Sequence, residues 1–166
     1  MGERILLPYL LNQGIMKIDY MMFSHFDTDH CQGLIYVMEH LKVKNAIISE
    51  QEEQSYNFKK FQDIVEQKKI NVIVVKREDE IHIDEQCSFH ILFPEEKLIS
   101  NNVLNNNSIV AKFKYIQKNG QVFSLLLTGD IEQIAENRIV KLYKGTNILE
   151  SDILKVRTSW IKNIIN

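Results

Sequence analysis

Four side chains of the kinds that hold metal ions, His25, Asp27, Asp29 and His30, fall within six residues of the stretch FSHFDTDHCQGL. His25 and Asp27 are two apart, as are Asp27 and Asp29, while Asp29 and His30 are adjacent and can face different directions. A loop leaving a strand end is a rigid platform from which several side chains can be aimed at one point. The pattern suits two metal sites a few ångströms apart, each with its own ligand set. Such a pair of ions can activate a water and clamp a phosphate. One neutral imidazole per carboxylate is a harder donor set than histidines alone, which tilts the metal toward manganese and leaves zinc admissible. A plainer reading competes: aspartate is common in turns, and His25 could cap one. For any single residue the plain reading is favoured. Four of them in H-x-D-x-D-H order, between a strand and a helix, favour metal.

The second candidate is Asp130, in LLLTGD, where an apolar strand ends in a small residue and then an aspartate that opens a helix. Helix N-cap is the common role for such an aspartate. Beside the first motif, an aspartate at another strand end becomes a plausible bridging ligand. The remaining candidates read as ordinary. His82 and His90 alternate along strands, His40 sits on a polar helix face, and Cys31 beside the acidic loop suits a small buried filler.

The elements that must position these residues follow from periodicity. RILLPYLLNQG reads as a short helix closed by Gly14. KIDYMMFS is a buried strand ending at the acidic loop. GLIYVMEHLK has apolar Leu34, Val37, Met38 and Leu41 at helical spacing. NAIIS is a second strand. EEQSYNFKKFQDIVEQKK is an amphipathic helix burying Phe58, Phe61, Ile64 and Val65, and NVIVV is a third strand. Strands alternating with helices imply a sheet with helices packed on it. The second half changes character. DEIHID and SFHILFP alternate as antiparallel strands, ISNNVLNNNS is a polar loop, and IVAKFKY and QVFSLLLTGD flank QKNG as a hairpin. IEQIAENRIVKLY is a helix with Ile131, Ala135, Ile139 and Leu142 on one face, and SDILKV is a last short strand. The fold class is α/β, with mixed sheets and outer helices.

With 166 residues, 45% of them hydrophobic and 25% charged, the chain is long enough for one domain with a buried core. A net charge of −2 leaves no global basic footprint for nucleic acid, so such a partner would have to be held locally or through a metal. The two cysteines, Cys31 and Cys87, are too few for a disulfide framework and lack zinc-finger spacing. No apolar stretch approaches the length of a membrane span, and the N-terminus lacks a signal-peptide pattern, so the chain is expected to be soluble.

Taken in order, these motifs resemble the metallo-β-lactamase superfamily, whose signature is H-x-H-x-D-H after a strand, followed by later histidines and a bridging aspartate. Within it, SHFDTDHCQGL, NNNSIVAKF and FSLLLTGDIE are similar to the hydrolase domain of the ComEC channels of bacterial DNA uptake. In that subgroup aspartate replaces the second motif histidine, as Asp27 does here. The resemblance runs from LLPYLLNQGIMKIDYMMFSH to ILESDILKV. It implies an αββα sandwich, a site for up to two divalent ions (zinc or manganese), and phosphodiester hydrolysis with DNA as partner. It also implies that His25 and Asp27 serve one metal, Asp29 and His30 the other, and that Asp130 bridges, with Asp29 and Asp130 as the catalytic carboxylates. The family's middle histidine has no counterpart; Asn107 and Ser108 lie in that neighbourhood.

Two departures shape the expectations. Family domains begin with strands carrying an Asp-x-Gly turn upstream of LLPYL, and the chain starts after them, which makes the domain partial. They also continue from LKV into Ala-His-His-Gly-Ser, whose histidine closes the second metal site, whereas here LKV runs into RTSWIKNIIN. Back-translation of residues 157–166 as CGC ACA TCA TGG ATC AAA AAC ATC ATC AAx, read from the second base, gives Ala-His-His-Gly-Ser-Lys-Thr-Ser-Ser. Trp160 has a single codon, and its GG supplies the start of the required glycine codon. The expectation is a partial domain over residues 1–156 and an out-of-frame tail over 157–166.

The expected function is therefore a metal-dependent phosphodiesterase domain of a DNA-uptake protein, impaired in this chain and with metal absent or weakly held. A small-molecule hydrolase of the same fold is the runner-up, and a catalytically dead structural or interaction module the third reading. Lys112, Lys114 and Lys118 on one hairpin are candidates for a basic rim, or else a solvated face. The family domain is attached to a bacterial membrane channel. An incomplete sheet exposes edges, which invites pairing with a second copy of the chain.

Overall fold

The computed structural model describes residues 2–50 and 55–156. The chain forms two compact units, Met1–Val74 and Val75–Asn166. The expected aberrant tail, residues 157–166, lies outside the described residues.

In the first unit a π-helical turn, Gly2–Leu6, leads into α1 (Leu7–Asn12). Gly14, with φ of +72°, ends the helix as expected. The alternation then runs β1 (Lys17–Met22), α2 (Thr28–His40), β2 (Lys42–Ser49), α3 (Tyr56–Lys68) and β3 (Asn71–Val75). The sheet order is β1-β2-β3, and β1 and β2 are parallel with Lys17 opposite Lys42 and Met22 opposite Ile47. Ser55 caps α3, its Oγ accepting from the Phe58 amide at 3.1 Å; the earlier start expected for this helix falls on residues outside those described. The Lys68 ammonium donates to the Met38 and Glu39 carbonyls, each at 2.6 Å, and so satisfies the last turn of α2. Val37, Met38, Leu41, Phe61 and Ile64 are buried as their spacing predicts, with Leu34, Phe58 and Val65 packed against them.

In the second unit β4 (Glu80–His82), β5 (Cys87–Phe93), β6 (Val110–Ile116), β7 (Val122–Leu127) and β8 (Ile153–Lys155) form one sheet in that order. The first four are antiparallel neighbours, and β8 is parallel to β7 with Leu126 opposite Leu154. The helices are a short α4 (Val103–Asn106) and α5 (Gln133–Leu142). The expected apolar face holds at Ile131, Ala135 and Ile139, but Leu142 is exposed and Tyr143 is buried instead. The buried positions thus continue in steps of four, and the Tyr143 hydroxyl finds a partner by donating to the Leu92 carbonyl at 3.0 Å.

The expected polar loop is not a solvated one. It contains α4, and Asn106, Asn107 and Ser108 are completely buried. Their side chains take the place of a backbone ladder. Asn107 Oδ1 accepts from the Ile99 amide at 2.8 Å, while its Nδ2 donates to the Ile99 and Val103 carbonyls. A buried asparagine satisfied in this way is the physical requirement for hiding irregular backbone.

No helix among the described residues is long and apolar enough to cross a membrane.

Candidate metal centre

The acidic loop connects β1 to α2. Its backbone extends the β1 ladder by one step, the Phe23 amide donating to the Ile47 carbonyl at 2.9 Å. Phe23 and Phe26 then turn into the core, stacked at 5.3 Å between ring centroids, and both meet Phe61 of α3 at 5.2 and 5.1 Å. The chain is therefore pinned immediately before and after His25. Asn57 of α3 adds a polar clamp, its Nδ2 donating to the Phe26 carbonyl at 3.3 Å and to Thr28 Oγ1 at 3.0 Å. The Cys31 thiol donates to the same carbonyl, so Cys31 is the buried filler its position predicts.

His25 is enclosed, with its Nδ1 3.0 Å from Ser24 Oγ. With Nδ1–H donating to that hydroxyl, Nε2 carries the lone pair that a metal takes, the arrangement in which a supporting partner orients a histidine ligand. Nε2 lies 3.7 Å from Asp27 Oδ2. The His30 ring stands 4.3 Å from the His25 ring, and His30 Nε2 is 3.6 Å from Asp29 Oδ2. The loop thus sets His25 beside Asp27, His30 beside Asp29 and the two imidazoles next to each other. These side chains are unequally sheltered: the Asp29 side chain is 84% exposed and that of Asp27 40%, against 21% for His30.

The plain reading of Asp27 as a turn-former is half right. Asp27 occupies the N-cap position of α2, and its carbonyl accepts from the His30 and Cys31 amides, each at 2.9 Å. Its carboxylate makes no capping hydrogen bond. The helix therefore uses the backbone of Asp27 and not the group that a metal would need.

Asp130 belongs to the second unit, in the turn that leaves β7. The N-cap of α5 is Glu132, so Asp130 is not the helix cap that its sequence context suggests. Gly129 makes the turn with φ of +59°, and a Cβ there would stand 2.5 Å from Ser108 Cβ. That contact explains why Ser108, which the resemblance sets near a missing ligand, packs under the turn: its Oγ accepts from the Asp130 amide at 3.3 Å. Asn105 Nδ2 donates to Asp130 Oδ2 at 3.2 Å. Asn106 and Glu132 lock the same junction, the Glu132 amide donating to Asn106 Oδ1 at 3.0 Å and Asn106 Nδ2 to Glu132 Oε2 at 3.1 Å. On the other side Thr128 Oγ1 donates to the Lys155 carbonyl at 2.9 Å and Lys155 Nζ to the Gly129 carbonyl at 3.0 Å, so β8 ends beside this turn.

Gly129→Ala should therefore destabilise the protein by about 1–3 kcal/mol from the left-handed backbone alone, with a further cost from displacing Ser108. Urea denaturation measures it, and a variant as stable as the parent would show that the turn relaxes freely.

One of the three rim candidates is corrected. Lys112 is buried and donates to the Ile148 carbonyl at 3.1 Å and to that of Glu150, tying the segment before β8 to the sheet. Burial, followed by the nearby Lys114 charge, pushes its pKa below the ordinary lysine value. It is a structural cation and does not belong to a solvent-facing rim. Lys118 is exposed in the hairpin turn. His40 Nδ1 donates to the Tyr36 carbonyl (2.7 Å) and the ring stacks on that of Tyr36; His82 and His90 lie 3.4 and 3.8 Å from Glu80 and Glu78.

Comparison with known proteins fits this loop. The model of the metallo-β-lactamase superfamily matches residues 1–95, more than half of the chain and all of the acidic loop. The chain belongs to the metallo-β-lactamase superfamily. Within reach of this family assignment, ComE operon protein 3 of Bacillus subtilis (strain 168) is 28% identical over 156 residues. The match takes in 94% of this chain and 19% of that protein, so the chain spans about a fifth of its relative. Among solved structures, CmlA, a diiron β-hydroxylase from Streptomyces venezuelae, superposes with a TM-score of 0.50 at 12% identity, over 91% of this chain and 28% of CmlA. A point mutant of the same β-hydroxylase gives 0.53 at 13% identity, over 91% of this chain and 29% of the mutant. At such identities the likeness speaks for the metallo-β-lactamase fold and not for a reaction.

Sequence reasoning missed Ser24, Asn57 and Asn105. Ser24 was in view beside His25, and a hydroxyl next to a candidate ligand was the available signal. Asn57 and Asn105 lie 31 and 25 residues from the groups they hold, and nothing local announces them.

Proposed function

We propose that this metallo-β-lactamase domain is a metal-dependent phosphodiester hydrolase of the DNA-uptake type, impaired in the chain as it stands. The observation that carries the reading is the pairing of His25 and His30 at 4.3 Å with Asp27 and Asp29 beside them, on a loop that aromatic packing holds rigid. The donor set fits divalent ions: two imidazoles and two carboxylates, one imidazole enclosed and oriented by Ser24. It suits manganese or zinc.

By the resemblance, His25 and Asp27 would hold one ion and Asp29 and His30 another, and Asp29 and Asp130 would be the catalytic carboxylates. Bound ions would supply an activated water and charge neutralisation on a phosphoryl oxygen. The protein's part is orientation. Ser24 holds the His25 ring through Nδ1, the α2 N-terminus is capped by the backbone of Asp27 and not by its carboxylate, and the close Ser108–Gly129 approach supports the turn that carries Asp130.

The relative's name places it in the ComE operon, and the resemblance to DNA-uptake channels supports a nucleic-acid substrate. One observation favours the small-molecule alternative. Lys112, the first of the rim candidates, is buried among carbonyls, which leaves less positive surface for a polyanion than the sequence suggested.

The test is Mn2+ binding followed by electron paramagnetic resonance, with hydrolysis of a labelled single-stranded oligonucleotide and of a small phosphate ester beside a chelator control. His25→Ala should weaken Mn2+ binding by more than the roughly 10–100-fold that follows loss of a residue supporting a metal. Equal affinity in the parent and His25→Ala would overturn the metal reading. Ester hydrolysis with intact DNA would promote the small-molecule alternative.

A further inference from the structure

Asn105 is the one side chain in the polar cradle that is not itself satisfied. Asn106, Asn107 and Ser108 are completely buried and each has its polar atoms engaged with the backbone or with Glu132. Asn105 differs. Its Nδ2 donates to Asp130 Oδ2 at 3.2 Å, and its Oδ1 is buried with no hydrogen-bond donor among the described residues. Turning the amide over would not help, because it would set a carbonyl oxygen against a carboxylate. The orientation is therefore dictated by Asp130, at the expense of the asparagine's own oxygen. A buried polar atom without a partner is costly, and where one persists in a native structure it is accounted for by strain, by a catalytic role or by a bound water or ion.

We infer that Asn105 is a positioning residue for Asp130: by holding Oδ2 it fixes the rotation of the carboxylate and presents Oδ1 to a divalent cation. The inference rests on the metal reading above and adds to it a residue that no sequence motif marks. The rest of the cradle supports it mechanically. Asn105 lies in α4, which Asn102 and Asn106 tie to Glu132 two residues beyond Asp130. The donor and the carboxylate are thus mounted on one cross-linked junction.

Two variants test it, Asn105→Ala and the volume-keeping Asn105→Leu, each read for Mn2+ affinity and for the melting temperature of the metal-free protein. Loss of a partner that orients a metal ligand typically weakens binding about 10–100-fold, and that loss is expected in both. The metal-free melting temperature should change little, since the substitution removes an unsatisfied oxygen together with one hydrogen bond to a part-buried carboxylate. The same substitutions placed on Asp130→Asn should produce little additional loss, because the effect runs through Asp130. Three results would overturn the inference. Parent-like affinity in both variants, while Asp130→Asn is weakened, would remove Asn105 and leave the metal site standing. A loss of the same size on the Asp130→Asn background would mean that Asn105 acts elsewhere. A parent chain that binds no Mn2+ at millimolar concentration would remove the metal reading and this inference with it.

Discussion

Replacing residues 157–166 with Ala-His-His-Gly-Ser-Lys-Thr-Ser-Ser is expected to raise Mn2+ or Zn2+ affinity by more than about tenfold. The reason is ligand count. A catalytic metal ordinarily takes about three protein ligands and a water, and the Asp29/His30 pair, with Asp29 largely exposed, offers two. The replacement begins just beyond β8, whose last residue, Lys155, is hydrogen-bonded through its carbonyl to Thr128 and through its ammonium to Gly129. Metal titration of parent and replacement checks the expectation, with His30→Ala as control: it should abolish the gain in the replacement chain and change the parent little. Asp27→Ala or Asp130→Ala in the replacement chain should remove any metal-dependent DNA cleavage that appears. A replacement chain with unchanged affinity would reject the out-of-frame reading of the tail.

Phe61→Ala is expected to cost about 3–5 kcal/mol, a large share of the roughly 5–15 kcal/mol that holds a typical domain folded. Phe61 is 2% exposed and touches both Phe23 and Phe26 at ring-centroid distances near 5 Å, with Phe58 completing the cluster at 4.9 Å from Phe26. Removing it leaves a cavity directly beneath the two residues that fix His25. The urea midpoint should fall steeply with little change in slope, and metal affinity should fall with it, because the loop loses its floor. Unaltered metal binding in a destabilised variant would show that the loop is held by Asn57 and the α2 backbone alone.

Much of the scaffold could be read from periodicity. The helices over Leu34–Leu41 and Phe58–Val65 bury the residues their spacing selects, because a stripe repeating every three or four positions has one stable orientation against a sheet. The hairpin around Gly120 and the stop at Gly14 were equally legible, since each needs a positive φ that glycine adopts without strain. Leu142 was misplaced, because spacing alone does not tell which of two neighbouring apolar residues completes a face. Tyr143 takes the place, and its hydroxyl has a carbonyl to reach.

At the candidate site the sequence by itself determined the local cluster. His25, Asp27, Asp29 and His30 are so close along the chain that a strand end followed by a helix start leaves them little freedom to separate. What only the tertiary structure decided is the use made of the polar residues. Asparagine in a run such as NNVLNNNS reads as solvated loop until the backbone it must satisfy is known; three-dimensional packing buries Asn106, Asn107 and Ser108 and turns Asn105 toward Asp130. Likewise Lys112 reads as surface charge until β8 and its preceding segment bring carbonyls to it. The physical reason is range. Helix and strand patterns are written in contacts between near neighbours, whereas the partner of a buried polar group is chosen by whichever distant segment closes over it.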